Sequence, residues 1–388
     1  MLNARAADRA LVADLNGRIL KLQRAIEELI AEKISAEARL AAYPVLTLPN
    51  EITSEIFSHF NPLYPLCPPL TGPFSPTLLT QICQKWRNIA LSMPSLWRAI
   101  SCPIQDVQEQ SRMVEKWLSR SGRCPLSIKL STSYRYGTGT ARNIMAAALV
   151  HLGRWEHISI MSLPHDGLLI PVDTPMPLLR TLELSVDWPY HPPLHGAISH
   201  AASRLTSVVL GLFSYENGGD LLPWSQLTSL TLLNQTPSQC TAILMHAVNL
   251  VYCELTLSES DDPQPQIIRL PRLQSLVIIH YENDRLYSIS TQDEYLLSFV
   301  APALRRLQLP GGCAVEHVES FLKASGCELQ ELHITGELSV EEEIFRLVFP
   351  SIPTISFNPW LIDWGCSMAD QIRKKNEGQL SIADFAAA

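Results

Sequence analysis

The stretch Leu227-Thr228-Ser229-Leu230-Thr231-Leu232 sets a pattern, Leu-x-x-Leu-x-Leu, that the chain repeats. It returns as Leu179-x-x-Leu182-x-Leu184, Leu205-x-x-Val208-x-Leu210, Leu250-x-x-Cys253-x-Leu255, Leu273-x-x-Leu276-x-Ile278, Leu304-x-x-Leu307-x-Leu309 and Leu329-x-x-Leu332-x-Ile334. Trp155-x-x-Ile158-x-Ile160 precedes the series and Ile352-x-x-Ile355-x-Phe357 follows it. Starts lie from 22 residues apart (Leu205 to Leu227) to 31 (Leu273 to Leu304). The alternation that closes each pattern fits a short strand with its apolar side chains on one face. Helical stretches fall between the strands. One is opened by Thr236-Pro237 and runs through Ile243, Leu244 and Ala247; others are predicted over Glu294 to Val300, Val315 to Ala324 and Val340 to Phe349. Thr291 with Glu294, and Ser339 with Glu342, have the spacing of capping boxes. A strand-helix unit has one apolar edge that it cannot bury alone, so stacked neighbours build a continuous core. The predicted fold class is α/β: helices first, then a solenoid of stacked strand-helix units.

This period and pattern resemble irregular leucine-rich repeats. The asparagine that usually follows the strand in that family is missing from most units, so the turns are expected to be held differently. A doubly wound α/β domain is the runner-up; regular spacing and short strands argue against it. In such strands the leucines point inward, and the residues flanking the last two face outward. Those outward positions include Ser229, Thr231, Thr256, Ser275 and Glu331. Leu233, Tyr252, Glu254, Val277, Ile279, Arg306, Gln308 and His333 complete them and form the candidate substrate-binding face, apolar and aromatic in its middle. The alternative is that the carboxy-terminal tail or a loop covers this middle.

Upstream, Val45 to Ile100 carries a second pattern. It opens with Leu48-Pro49-Asn50-Glu51-Ile52, continues to Ile56-Phe57, and closes with Ile82-Cys83-Gln84-Lys85-Trp86-Arg87 and Leu96-Trp97. Pro49 suits a first helical turn, and Ile52, Ile56, Phe57 and Phe60 fall at helical spacing. A second helix over Leu78 to Leu91 places Leu79, Ile82, Trp86, Ile89 and Ala90 on one stripe. Two such helices have too few apolar positions to close a core alone. The ordered set resembles an F-box, most of all those abundant in mushroom-forming fungi. The resemblance implies docking to the Skp adaptor subunit of an SCF-type cullin-RING ubiquitin ligase, with contacts at Leu48, Pro49, Ile52, Ile56, Trp86 and Trp97. It departs from the family at Asn61 to Pro76, a proline-rich insertion in place of a short turn.

Residues 3 to 42 read as one helix. Val12, Leu15, Ile19, Leu22, Ile26, Leu29, Ala36 and Leu40 follow alternating steps of three and four, with Asp8 and Lys33 as polar exceptions. β-Branched residues at heptad position a and leucines at d favour two parallel strands of a coiled coil. Homodimerisation through this helix is one reading; packing of the same stripe along the rest of the chain is the other. Predicted boundaries are 1–43 for this helix, 44–100 for the F-box-like part, 101–365 for the repeats and 366–388 for a tail. Between F-box and repeats, a helix is expected over Gln105 to Ser119 and a strand over Leu126, Ile128 and Leu130. Ser131 to Ala141, with Gly137-Thr138-Gly139, reads as a loop.

Over 388 residues, 46% hydrophobic and 18% charged composition supplies a sizeable core. The net charge of −8, without a basic run, disfavours nucleic acid as partner. Met1 to Ala13 is not a secretory signal, and no apolar run is long enough for a membrane span. The nine cysteines, without a Cys-x-x-Cys pair, fit reduced thiols in a cytoplasmic or nuclear protein. His191, His195 and His200 cluster around two prolines, but lack the helix-borne pair or nearby Cys of a zinc site. No nucleophile elbow, metalloprotease helix or phosphate loop is present, so no catalytic residue, cofactor or metal is expected and the chain reads as non-enzymatic. The expected function is a substrate-recognition adaptor: F-box on the Skp adaptor, repeats on an unknown protein substrate. The alternative is a coiled-coil and repeat scaffold independent of ubiquitin ligases.

Overall fold

The structure, a computed structural model, describes residues 2–41, 44–104, 108–131, 138–161, 174–185, 202–211, 222–258, 266–280, 293–336 and 342–358. Two units divide the chain: residues 1–61 with 76–93, and residues 62–75 with 94–388. The second therefore takes in the proline-rich insertion from Pro62 to Ser75 and also Leu96-Trp97.

The first unit is helical. Helix α1 (Leu2–Ala41) matches the sequence reading. From Ala7 to Arg39 every side chain on it is exposed except Ala36, which is half-buried. After α2 (Pro44–Thr47), α3 (Asn50–Ser58) begins one residue later than expected, so Pro49 caps it from outside rather than sitting in its first turn. The Pro49 carbonyl accepts from the Thr53 amide at 3.0 Å and from the Thr53 hydroxyl at 3.1 Å. The single helix expected over Leu78 to Leu91 is broken into α4 (Leu79–Ile82) and α5 (Gln84–Leu91). Cys83 lies between them in an extended conformation, and its Sγ accepts from the Trp86 amide at 3.4 Å, satisfying one donor that a helix start leaves free.

The second unit is an α/β array. Its strands are β1 (Ala99–Pro103), β2 (Leu126–Ser131), β3 (Trp155–Met161), β4 (Thr181–Ser185), β5 (Ser207–Gly211), β6 (Ser229–Gln235), β7 (Tyr252–Leu257), β8 (Ile268–Arg269), β9 (Ser275–His280), β10 (Phe299–Val300), β11 (Arg306–Pro310), β12 (Glu331–Thr335) and β13 (Thr354–Asn358). Eleven form one sheet in the order β1-β2-β3-β4-β5-β6-β7-β9-β11-β12-β13, with every pairing parallel. Chain order is retained across the sheet, as expected of stacked repeats and not of a doubly wound domain, where the order reverses.

Register explains why leucine recurs. Leu182 lies beside Val208, then Leu230, Cys253, Leu276, Leu307 and Leu332 along one row, and all seven are buried. Each such side chain contributes about 1.5–3 kcal/mol of burial, but only when its neighbours are stacked on either side. The first leucine of most units closes a turn: Leu179, Leu205, Leu227, Leu250, Leu273 and Leu304 donate their amides three residues back, at 3.1–3.3 Å. Two successive amides then converge on one carbonyl of the preceding unit. Thr228 and Ser229 meet on Thr206, Val251 and Tyr252 on Thr228, and Gln274 and Ser275 on Val251. This backbone ladder joins the units without the missing asparagine.

The other side of the sheet is irregular. Helices α6 (Gln108–Arg120), α7 (Thr138–Leu149), α8 (Pro237–Leu244), α9 (Val315–Ser325) and α10 (Glu342–Val348) are present. Helix α7 begins inside the stretch expected to be a loop. Thr236 and Gln239 form a reciprocal capping box on α8. The helix expected over Glu294 to Val300 is instead a 3-10 turn (Asp293–Ser298) followed by β10, which pairs with β8 in a two-stranded sheet. Six residues of tight turn bring Tyr295 edge-on to Phe299 at 5.2 Å, and that apolar contact settles the segment without a full helix. Thr291, Ser339 and the tail from residue 366 lie outside the described residues.

The insertion is a strap along the first strand. Ser101 of β1 donates to the Pro68 carbonyl at 2.8 Å, and Leu70 donates back to Ser101 at 3.0 Å. Ser127 Oγ donates to the Pro65 carbonyl at 2.6 Å, and Cys67 Sγ lies 3.2 Å from that hydroxyl.

Candidate interaction surfaces

On α3, two i,i+4 pairs divide the helix. Thr53 and Phe57 turn inward, at 2% and 1% exposure, while Ile52 and Ile56 stand outside at 50% and 49%. The sequence put Ile52, Ile56, Phe57 and Phe60 on one face; one residue step is about 100° of helix, and it separates the isoleucines from Phe57. Phe57 packs edge-to-face with Trp86 at 5.0 Å, which leaves Trp86 half-buried. Lys85 Nζ donates to the Leu48 carbonyl at 2.6 Å, tying the approach to α3 against α5. Leu48 is half-buried and Pro49 exposed beside the isoleucines in sequence. Ile82 and Leu91 are also exposed on this unit.

Trp97 has a different environment from the other predicted docking residues. It is fully buried in the second unit, edge-to-face with Trp117 of α6 at 5.0 Å, with the Arg120 guanidinium over its ring at 4.7 Å. An indole enclosed in this way has no face left for a partner. Its place in the sequence pattern reflects the core of the repeat unit.

The outer face of the sheet is not uniformly open. Along β7, Tyr252 donates to Glu254 Oε2 at 2.6 Å, and the two residues are only 9% and 3% exposed. Val277 beside Glu254 is 0% exposed, and Thr231, Ser275 and Gln308 are buried with it. The expectation of an exposed apolar middle therefore fails at Tyr252, Glu254, Val277 and Gln308. A parallel sheet excludes solvent wherever both of its faces are covered. Leu233, Ile279, Arg306 and His333 retain partial exposure. Toward β13 the face turns polar: Arg306 Nε lies 3.3 Å from Glu331, His333 Nε2 lies 3.6 Å from the same carboxylate, and His333 Nδ1 hydrogen-bonds Ser356.

Toward β1 the face carries a network that the sequence reading missed. The Tyr64 hydroxyl of the strap donates to Glu156 Oε2 at 2.8 Å, and Arg180 holds the other oxygen of that carboxylate at 3.0 Å. The Arg98 guanidinium lies 4.0 Å from the Tyr64 ring centroid, and His157 meets the ring edge-on at 5.5 Å. Burial first, then the hydrogen bond to Glu156, push the Tyr64 phenol well above its ordinary pKa. The phenol is thus a fixed donor, and the chemistry of this network is anchorage. Its only sequence signal was an aromatic residue inside an insertion that breaks a helical module.

Among the described residues no three His, Cys, Asp or Glu side chains are grouped to hold a metal ion, and His191, His195 and His200 lie outside them. Among the same residues no helix is long and apolar enough to cross a membrane. No family model matches the chain, and no curated protein matches it.

Proposed function

We propose that this chain is a substrate-recognition subunit of an SCF-type cullin-RING ubiquitin ligase, working in the cytoplasm or nucleus without catalysis of its own. The helical unit docks the Skp adaptor through Ile52 and Ile56 of α3, with Leu48, Pro49 and the edge of Trp86 beside them. The repeat unit holds a protein substrate, using the partly exposed rim at Leu233, Ile279, Arg306 and His333. The contribution is proximity: a held substrate presents its lysines at high local concentration. One observation carries this reading. Two β-branched side chains one turn apart stay half exposed on a short helix whose other face is already packed, and an exposed apolar pair beside a proline-capped start is what a docking helix needs.

The test is copurification of the full chain with a Skp adaptor. Wild-type protein is expected to retain the adaptor, and Ile52→Asp with Ile56→Asp to lose it while keeping the thermal midpoint. Wild-type protein that never retains the adaptor removes the proposal. A second reading, a scaffold independent of ligases, is favoured by the bare apolar stripe of α1 and predicts that negative result.

A further inference from the structure

Helix α1 leaves a long row of aliphatic side chains in water: Val12, Leu15, Ile19, Leu22, Ile26 and Leu29 are each 43–64% exposed. They occupy successive a and d positions, and such a seam is stable only when a second helix covers it. The occupant that fits is a second copy of α1, and the charges choose its direction. We infer that α1 pairs with itself antiparallel, the register being set so that Leu22 of one copy faces Ile26 of the other.

A parallel pair stacks each core residue on its own copy. Arg5 would meet Arg5, Asp8 would meet Asp8, and Lys33 would meet Lys33 inside the seam. The flanking positions add a repulsion, since Glu32 at g would face Glu37 at e of the other strand. The antiparallel register removes all of these. Ile19 then faces Leu29, Val12 faces Ala36, and Lys33 faces Leu15, along whose surface its aliphatic stem can lie while the amine reaches water. The flanks become complementary: Arg18 faces Glu32 and Arg9 faces Glu37, each pair occurring twice by symmetry. Among the described residues of one chain, Glu37 makes an exposed contact with Lys33 at 3.7 Å, a weak competitor. The leucine and β-branched preference that favours parallel strands is smaller than the cost of three like-charge layers. In this register the two Ala41 ends lie about 50 Å apart, at 1.5 Å rise per residue, whereas parallel strands would bring them side by side.

This inference does not depend on the ligase reading. It is tested on the full-length chain by sedimentation equilibrium. Wild-type protein is expected to dimerise. Glu32→Lys sets a second cation against Arg18 and is expected to weaken the dimer on the order of tenfold; adding Arg18→Glu restores it. In a parallel pair the same Glu32→Lys change would attract Glu37 and tighten the dimer. Tightening, no change, or a wild-type chain that stays monomeric at every concentration each overturns the inference. Because Arg18 and Glu32 are exposed, neither substitution threatens folding.

Discussion

The helical unit and the repeat unit use similar aliphatic patterning to opposite ends. In the repeats, leucine after leucine is at or near zero exposure, because every strand has a neighbour in fixed register. In the helical unit, Ile52, Ile56, Ile82 and the α1 row Val12, Leu15, Ile19, Leu22, Ile26 and Leu29 remain wet. The difference lies in geometry, since both regions carry the periodic pattern their elements require. A stack closes its own apolar edges one unit at a time. A lone helix and a few short ones leave theirs open among the described residues.

Three variants test this contrast, in falling order of effect on stability. Trp97→Ala empties a fully buried indole site in the repeat unit and is expected to cost about 3–5 kcal/mol, read as a lower urea midpoint with little change in slope. A loss below about 1 kcal/mol would mean that Trp97 is not core. Tyr64→Phe removes the bond to Glu156 while keeping the ring against Arg98 and His157. It is expected to cost about 1 kcal/mol, the worth of one partly buried bond to a charged group that keeps Arg180 as partner. A neutral result would reduce the strap to packing alone. Ile52→Ser with Ile56→Ser is expected to stay within about 0.5 kcal/mol, because half-exposed side chains lose little on truncation. A large loss there would show that the helical unit needs these residues for itself, and would break the contrast.

How much of this could be read in advance follows the same division. The strands were legible because Leu-x-x-Leu-x-Leu states both period and facing, and each of the patterns from Trp155 to Phe357 lies at a strand. Helix α1 was legible because its steps of three and four continue past the polar positions Asp8 and Lys33. The break at Cys83 was not: Leu79 and Trp86 keep helical spacing across it, and only the backbone angles separate the two helices. Trp97 was misplaced because a sequence pattern orders residues along the chain without saying which core receives them. The buried pair of Tyr252 and Glu254 was missed for a related reason. Alternation places a side chain on a face, but whether that face meets water depends on segments remote in the sequence.

The strap has one more effect. Sheets that end in a bare strand invite other chains to add on, and a row of free amides is what recruits them. Here the first strand's bonding edge is met by a run containing Pro62, Pro65, Pro68 and Pro69, none of which has an amide hydrogen to offer onward. At the Ser101 bridge the neighbouring residues are Pro68 and Pro69, so that point of the margin offers no amide on which a further strand could pair.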